Sequence, residues 1–114
     1  MDRKTEVITM DASATVTPAG TSYSSGQLVG SYIEALILVN ATALTAGTTL
    51  DITIETSSDD TTYYPALSTL TQMTTATTQI KAITNFGKYI RTKKVVAGTG
   101  TPSVTFSITG VFKT

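Results

Sequence analysis

The sequence contains no cysteine, no histidine and no tryptophan, and only 14% of its residues are charged. Without cysteine, neither a disulfide framework nor a thiolate metal site is possible. Without histidine, imidazole metal ligands are excluded, as are the Ser-His-Asp and Cys-His nucleophile arrangements. The most apolar stretch, residues 35–39, is far shorter than a membrane-spanning segment. We therefore expect a protein that is not an enzyme, with no metal and no cofactor.

Small hydroxyl side chains dominate what is present, with 26 threonines and 10 serines among the 114 residues. Threonine, valine and isoleucine favour strands, and a hydrophobic content of 40% is high enough for a folded core. The length corresponds to one ordinary domain. The composition thus predicts a single all-β domain and leaves its function open.

The charges are unevenly distributed along the chain. All eight acidic residues lie within the first 60 positions, which also hold Arg3 and Lys4 and therefore sum to 2 − 8 = −6. Residues 61–114 hold six basic residues and no acidic one, which gives 6 − 0 = +6. One interpretation is that strands from the two halves interleave and their charges pair. The other is a bipolar surface whose poles meet neighbouring copies or a partner.

Apolar and polar residues alternate with a period of two, most clearly in residues 50–56 and 103–109. Residues 33–39 are more uniformly apolar, which is typical of a central strand covered on both faces. About seven to nine short strands, separated by turn residues, predict a single antiparallel β-sandwich with a jelly-roll-like arrangement. The predicted core consists of Leu36, Leu38, Ile52, Ile54, Phe106 and Ile108.

The first thirty residues are rich in serine, threonine, glycine and alanine and have few apolar side chains. We predict an N-terminal arm or edge strands over residues 1–30 and a sandwich domain over residues 31–114. The arm would become ordered by adding a strand to a neighbouring subunit or to another surface. The alternatives are a poorly ordered terminus and, for residues 5–10, the first strand of the chain's own sandwich.

Few residues suggest a metal-binding or anion-binding site. Asp59 and Asp60 could be imagined as calcium ligands, but the spacing matches no EF-hand loop, and a hairpin turn over residues 57–60 explains them better. Arg91 and Lys93 lie on one face of a predicted strand, with Lys94 on the other, so the three do not form one phosphate site.

The middle and the end of the chain carry a family resemblance. LDITIETSSDDTTYYPA, residues 50–66, reads as an alternating strand, a Ser-Asp-rich hairpin and an aromatic strand. GKYIRTKKVVAGTGTPSVTFSITGVFK, residues 87–113, adds a Gly-x-Tyr-Ile-Arg strand, a Gly-Thr-Gly loop and a last alternating strand. Over residues 33–113 this order resembles head decoration (auxiliary capsid or cement) proteins of tailed bacteriophages, whose fold is a jelly-roll-like β-sandwich.

The resemblance implies a structural virion protein that stabilises the head by binding its outer surface. It also implies the major capsid protein as a partner, a homotrimer, and a location on the capsid surface. Nucleic acid and membrane are not expected partners, because the net charge is zero and aromatic residues are few. The residues expected at a capsid or subunit interface are Thr5, Val7, Ile8, Val16, Arg91 and Lys93.

Other functions fit the same strand pattern. One is a carbohydrate-binding or fibre-tip adhesion module, and another is a tail or head-completion protein. Residues 1–11 contain acidic side chains and no apolar run, so we expect no secretion signal and synthesis in the host cytoplasm.

Overall fold

The computed structural model describes residues 4–114, apart from the side chain of Ala66. It is an all-β structure, as the alternating pattern predicts, and residues 1–3 of the predicted arm lie outside the described residues. Within residues 4–114 there is no helix long and apolar enough to cross a membrane. The strands are β1 (Thr5–Val16), β2 (Gly20–Tyr23), β3 (Gln27–Leu28), β4 (Glu34–Leu44), β5 (Thr48–Ser57), β6 (Tyr63–Thr69), β7 (Thr77–Thr84), β8 (Tyr89–Gly98) and β9 (Val104–Lys113).

These strands form two antiparallel sheets that pack face to face. Sheet A has the order β1-β9-β4-β7, and sheet B has the order β2-β8-β5-β6, with β3 also paired to β8. Each strand of the first half pairs with one of the second half: β1 with β9, β2 and β3 with β8, β4 with β7, and β5 with β6. The chain is therefore one long double ribbon, rolled into the two sheets of a jelly roll.

The rolled ribbon explains the uneven charge. The chain turns back between β5 and β6, close to the position where the acidic half ends and the basic half begins. Strands of opposite charge consequently lie side by side, and Arg91 on β8 contacts Glu55 on β5 at 2.8 Å. The interpretation that the two halves interleave and pair their charges is confirmed.

The core lies between the sheets and is built from the inward side chains of the alternating strands. Four of the predicted core residues, Ile52, Ile54, Phe106 and Ile108, are buried. Phe112 is also fully buried, and its ring lies beside Gly110, where a Cβ would come within 2.4 Å of the ring. The tightly packed inner face of β9 thus depends on the absence of a side chain at Gly110.

The prediction for β4 is wrong in its facing. Ala35, Ile37 and Val39 are buried in the core, whereas Leu36 and Leu38 lie half-buried on the outer face of sheet A. Both faces of this strand are apolar. The alternation assigns each residue to one of the two faces, but it does not identify the face that packs against the other sheet. The strand is central in its sheet, but its outer face is covered by no other layer of the described chain.

A polar group bridges the two sheets inside the sandwich. Lys94 on β8 is 3% exposed, and its Nζ donates to Asp11 on β1 at 2.6 Å. Thr92 donates to the other oxygen of the same carboxylate at 2.7 Å. Register shifts on both sides of Asp11 turn it inward, although Thr5, Val7 and Thr9 earlier on the strand face outward.

The N-terminal segment is part of the sandwich in this structure. β1 pairs with β9 over most of its length, which is the alternative in which the segment is the first strand of its own domain. Ile8 and Val16, expected at an interface, instead pack against the core. β1 and β2 are edge strands of the two sheets, which agrees with the edge-strand form of the prediction for residues 1–30, and the division at residue 30 stays a prediction.

The facing of β4 can be tested with two adjacent substitutions. Ile37→Ala should lower the free energy of unfolding by about 2–5 kcal/mol, because it empties a fully buried site. Leu38→Ala should cost clearly less, since its side chain lies on the half-exposed outer face. Urea unfolding of the two variants measures both values, and a larger loss for Leu38→Ala would contradict the assignment.

The ion pair that joins the two sheets predicts that the stability of the fold depends strongly on both Lys94 and Asp11. Lys94→Met should cost about 3–5 kcal/mol, because it leaves the Asp11 carboxylate without its cation. The double variant Asp11→Leu with Lys94→Met should recover much of that loss, since no charge is then left unpaired. Thermal unfolding of the single and double variants checks this, and additive losses would contradict it.

Candidate interaction surfaces

Apolar side chains form a patch on the outer face of sheet A. The cross-strand register aligns Val7, Val111, Leu36 and Ala82 in one row across all four strands. The next row contains Leu38 beside Ile80. Val7 and Ile80 are 65% and 70% exposed, so the patch reaches both edges of the sheet. We call these six residues the apolar rows.

Polar residues border the apolar rows. Lys113 and Glu34 form the neighbouring row on one side, and Ser107, Asn40 and Thr78 form it on the other. Strands lie about 4.8 Å apart, so a row of four strands is about 14 Å wide. A contiguous apolar patch with a polar rim is typical of a surface that contacts another protein.

The outer face of sheet B has a different character. The guanidinium of Arg91 lies between two rings, 4.2 Å from the centre of the Tyr23 ring and 4.0 Å from that of Tyr63. It also donates to the buried carboxylate of Glu55 at 2.8 Å. Tyr23 and Tyr63 lie on the two edge strands β2 and β6, so the stack fastens both edges to β8.

Tyr63 is held from its other end as well. Its hydroxyl donates to the Asp60 carboxylate. Burial raises the pKa of Tyr63 well above its ordinary value of 10.0, and the hydrogen bond to Asp60 raises it further. The protonated phenol, which is the hydrogen-bond donor to Asp60, is therefore stabilised in the folded protein.

The turn between β5 and β6 is stabilised by one carboxylate. Asp59 accepts hydrogen bonds from the backbone N–H groups of Thr61 and Thr62, each at 2.9 Å, and from the Ser57 hydroxyl at 3.0 Å. These bonds lower the pKa of Asp59 below its ordinary value of 3.8, with the Thr62 N–H as the largest cause. The predicted hairpin turn is confirmed. Within residues 4–114 no three acidic side chains lie close enough together to hold a metal ion.

A cleft of about 460 Å³ opens at one end of the sandwich. Its walls come from the segment before β4 and from the turn between β7 and β8, and they include Leu28, Phe86 and Lys88. Leu28 is 61% exposed. The cleft is mainly apolar, and Ser31 and Lys88 are the polar side chains in its lining.

The structure separates the six residues expected at an interface into three places. Thr5 and Val7 lie on the outer face of sheet A, at its β1 edge. Arg91 and Lys93 lie on the outer face of sheet B, on the opposite side of the molecule, as the alternation on β8 predicts. Ile8 and Val16 are half-buried, and their side chains pack against the core.

The sequence reasoning missed most of the apolar rows. A signal for one of them was present: in TTQIKAIT, residues 77–84, Ile80 and Ile83 fall on opposite sides of the alternation, so one of the two isoleucines must face outward. An isolated isoleucine at an outward position is a candidate contact residue. The Tyr23 and Tyr63 stack had no comparable signal, because its members come from three separate strands.

No protein-family model matches the chain, and no curated protein matches it significantly. Solved structures do resemble it. The VP2 protein of infectious bursal disease virus, in a subviral particle, superimposes on 97% of this chain with a TM-score of 0.67 and 14% identity. The PBSX exported protein XepA superimposes on 94% with a TM-score of 0.68 and 13% identity. The SPBc2 prophage-derived protein YomS superimposes on the whole chain with a TM-score of 0.62 and 12% identity.

The extent of these matches differs. This chain spans about a third of VP2 and of XepA, at 32% and 36% of their lengths, but the match covers 96% of YomS. All three identities lie far below the level at which functions can be transferred. The chain therefore shares its sandwich fold with a viral protein and a prophage-derived protein.

The lowered pKa of Asp59 predicts how acid affects stability. A carboxylate with a folded-state pKa below its unfolded value stabilises the protein above the unfolded pKa, and the contribution is lost as pH falls through the folded pKa. The loss should therefore occur below about pH 4. Asp59→Asn should weaken the decline of stability in acid, because asparagine can still accept hydrogen bonds and does not titrate.

Urea unfolding between neutral pH and acid measures this effect. Glu6→Gln, measured at a protein concentration low enough to exclude contacts between copies, is the matched control, because Glu6 is an exposed acid without an ion pair among residues 4–114. If the free energy of unfolding of Asp59→Asn falls as steeply in acid as that of the wild type, the turn does not depend on the ionised carboxylate.

Proposed function

We propose that this chain is a structural subunit of a tailed-phage particle, a decoration protein that binds the outer surface of the head and stabilises it. The observation that carries this proposal is the jelly-roll topology, in which the nine strands pair into two sheets. The similarity to prophage-derived YomS extends over all of these strands. The similarity to VP2 in a subviral particle supports a role in viral assembly. The strand pattern of residues 33–113 adds the resemblance to decoration proteins.

The contact surface for the major capsid protein would be the apolar rows on sheet A. They are the contiguous apolar patch that spans a complete sheet face, and Leu36 lies near their centre. A repeated lattice offers many equivalent sites, so binding requires shape, apolar area and symmetry rather than a reactive group. The role is non-catalytic: stabilisation would come from surface buried across joints between capsid subunits.

The subunit would act as an oligomer, with a homotrimer favoured by the resemblance. A protein that binds at symmetric positions of a shell gains affinity when its own symmetry matches that of the site. Localisation on the capsid surface follows from the same proposal.

Copy number is the first test of this proposal. Quantitative mass spectrometry of virions should find the chain on the order of hundreds of copies per particle, as expected for sites repeated over a lattice. A handful of copies would overturn the decoration role in favour of a tail or head-completion protein. Binding to a glycan array without binding to empty heads would favour an adhesion module.

The second test uses the apolar rows. Leu36→Asn should reduce co-sedimentation with empty heads, because it places an amide at the centre of the patch. Tyr64→Asn is the matched control, since Tyr64 is 62% exposed on an edge strand of the other sheet. Both variants should remain folded at the temperature of the binding assay, which circular dichroism checks. Equal binding by Leu36→Asn and wild type would exclude the apolar rows as the contact.

A further inference from the structure

Sheet A ends in two open edges, β1 and β7. The β1 edge carries Lys4 and Glu6, the β7 edge carries Lys81, and none of the three makes an ion pair with any of residues 4–114. We propose that these edges pair between copies, β7 of one copy with β1 of the next, so that the chain assembles head to tail into a closed ring. This inference rests on the self-association part of the proposed function and not on capsid binding.

The direction of the strands permits this pairing. Sheet A contains four strands, and each neighbouring pair is antiparallel. The two edge strands of a four-stranded antiparallel sheet run in opposite directions. A second copy placed beside the first in the same orientation therefore offers β1 antiparallel to β7, the geometry that permits a regular ladder of hydrogen bonds.

The peptide groups at the two edges are also in phase. The Thr114 N–H donates to the Lys4 carbonyl at 3.0 Å, so Lys4 directs its peptide groups towards β9. Hydrogen bonding alternates along an antiparallel pair, which leaves every second residue of β1 directed at the open edge. Carried across β9 and β4, the same alternation applies to β7. The residues whose peptide groups point outward are Thr5, Val7 and Thr9 on β1, and Thr78, Ile80 and Ala82 on β7.

One register satisfies the side chains on both faces. Setting Val7 opposite Ile80 brings together the most exposed apolar residues of the two edges, 65% and 70% exposed. The same register sets Glu6 opposite Lys81 on the other face of the sheet. It also aligns the outward peptide groups of both strands, since each outward residue meets an outward residue.

The charges favour this pairing over the pairing of two β7 edges. Two β7 edges placed together would bring lysine ammonium groups near each other, whereas the β1 edge carries both Lys4 and Glu6. Like charges across a strand pair are destabilising, and a lysine on an edge strand is a common protection against unwanted pairing. Lys81 thus opposes the pairing of two β7 edges, and Glu6 opposite Lys81 supports the pairing of unlike edges.

The contact is short because β1 is regular only over part of its length. The first register shift follows Thr9, so residues 5–9 form the part of the edge that can accept a neighbour. A head-to-tail contact uses two different surfaces and closes into a ring when the rotation between copies permits it.

Charge reversal tests the inference in solution, without any capsid. Glu6→Lys and Lys81→Glu should each raise the dissociation constant measured by sedimentation equilibrium by about tenfold. The double variant should return close to the wild-type value, because it restores opposite charges across the contact. Lys88→Glu is the matched control, since it reverses an exposed cation outside both edges and should change nothing. A wild type that is monomeric at all concentrations, or a double variant as weak as the singles, would overturn the inference.

Cysteine pairing tests the register, and the chain has no native cysteine to interfere. Mixed Val7→Cys and Ile80→Cys proteins should form a disulfide-linked dimer of the two variants under mild oxidation. Within one chain the two positions are separated by three strand spacings, about 14 Å, which no disulfide can span. Preferential linkage of Thr9→Cys to Ile80→Cys would overturn the proposed register.

The two proposals fail in distinguishable ways. Charge-reversed variants that are monomeric and still bind heads would leave capsid decoration intact. A wild-type ring that forms in solution and binds no heads would support the edge pairing and overturn decoration. Circular dichroism and unfolding temperature of each variant separate a lost contact from a lost fold.

Discussion

The turn at residues 57–62 is the constraint on which the arrangement of this molecule depends. It reverses the chain near its midpoint, so that each strand before it pairs with a strand after it. The acidic half is thereby laid against the basic half, and Glu55 meets Arg91 across the sheet. Asp59 holds the turn through two backbone N–H groups, although it is fully exposed. A local hydrogen-bonded motif thus determines which distant segments become neighbours, while burial in the core determines how tightly they are held.

Alternation predicted the fold class and much of the core because a period of two is a direct consequence of strand geometry. Ile52, Ile54, Phe106 and Ile108 each alternate with polar neighbours, so one face alone could be buried. On β4 both faces are apolar, and the choice between Leu36 and Ile37 depends on the position of the other sheet. The extra residues on β1 could not be read from TEVITMDASATV either, because a register shift is defined only against the partner strand. Val16 follows both shifts, whereas Ile8 precedes them and faces inward by simple alternation with the outward Val7; both side chains pack against the core.

The candidate surfaces were harder to predict than the core, for a physical reason. An interaction surface is a set of outward residues brought together by register, and register depends on long-range pairing. Val7, Leu36 and Ile80 are far apart in sequence and meet in adjacent rows of sheet A. Arg91 was expected to contact a partner, yet two tyrosine rings and a carboxylate already surround it. A positive charge in a sequence does not reveal whether the folded chain has neutralised it.

The two sheets therefore differ in how completely they satisfy their own side chains. On sheet B the stack of Tyr23, Arg91 and Tyr63 fastens the edge strands. On sheet A the apolar rows reach both edges, and each edge carries a charged side chain without an ion-pair partner among residues 4–114. Pairing of the edges between copies would extend the apolar rows from one subunit to the next, because Val7 and Ile80 belong to both features. Assembly and binding would then use adjoining parts of one surface: the edges would hold the copies together, and the joined faces would offer a larger area than one subunit presents alone.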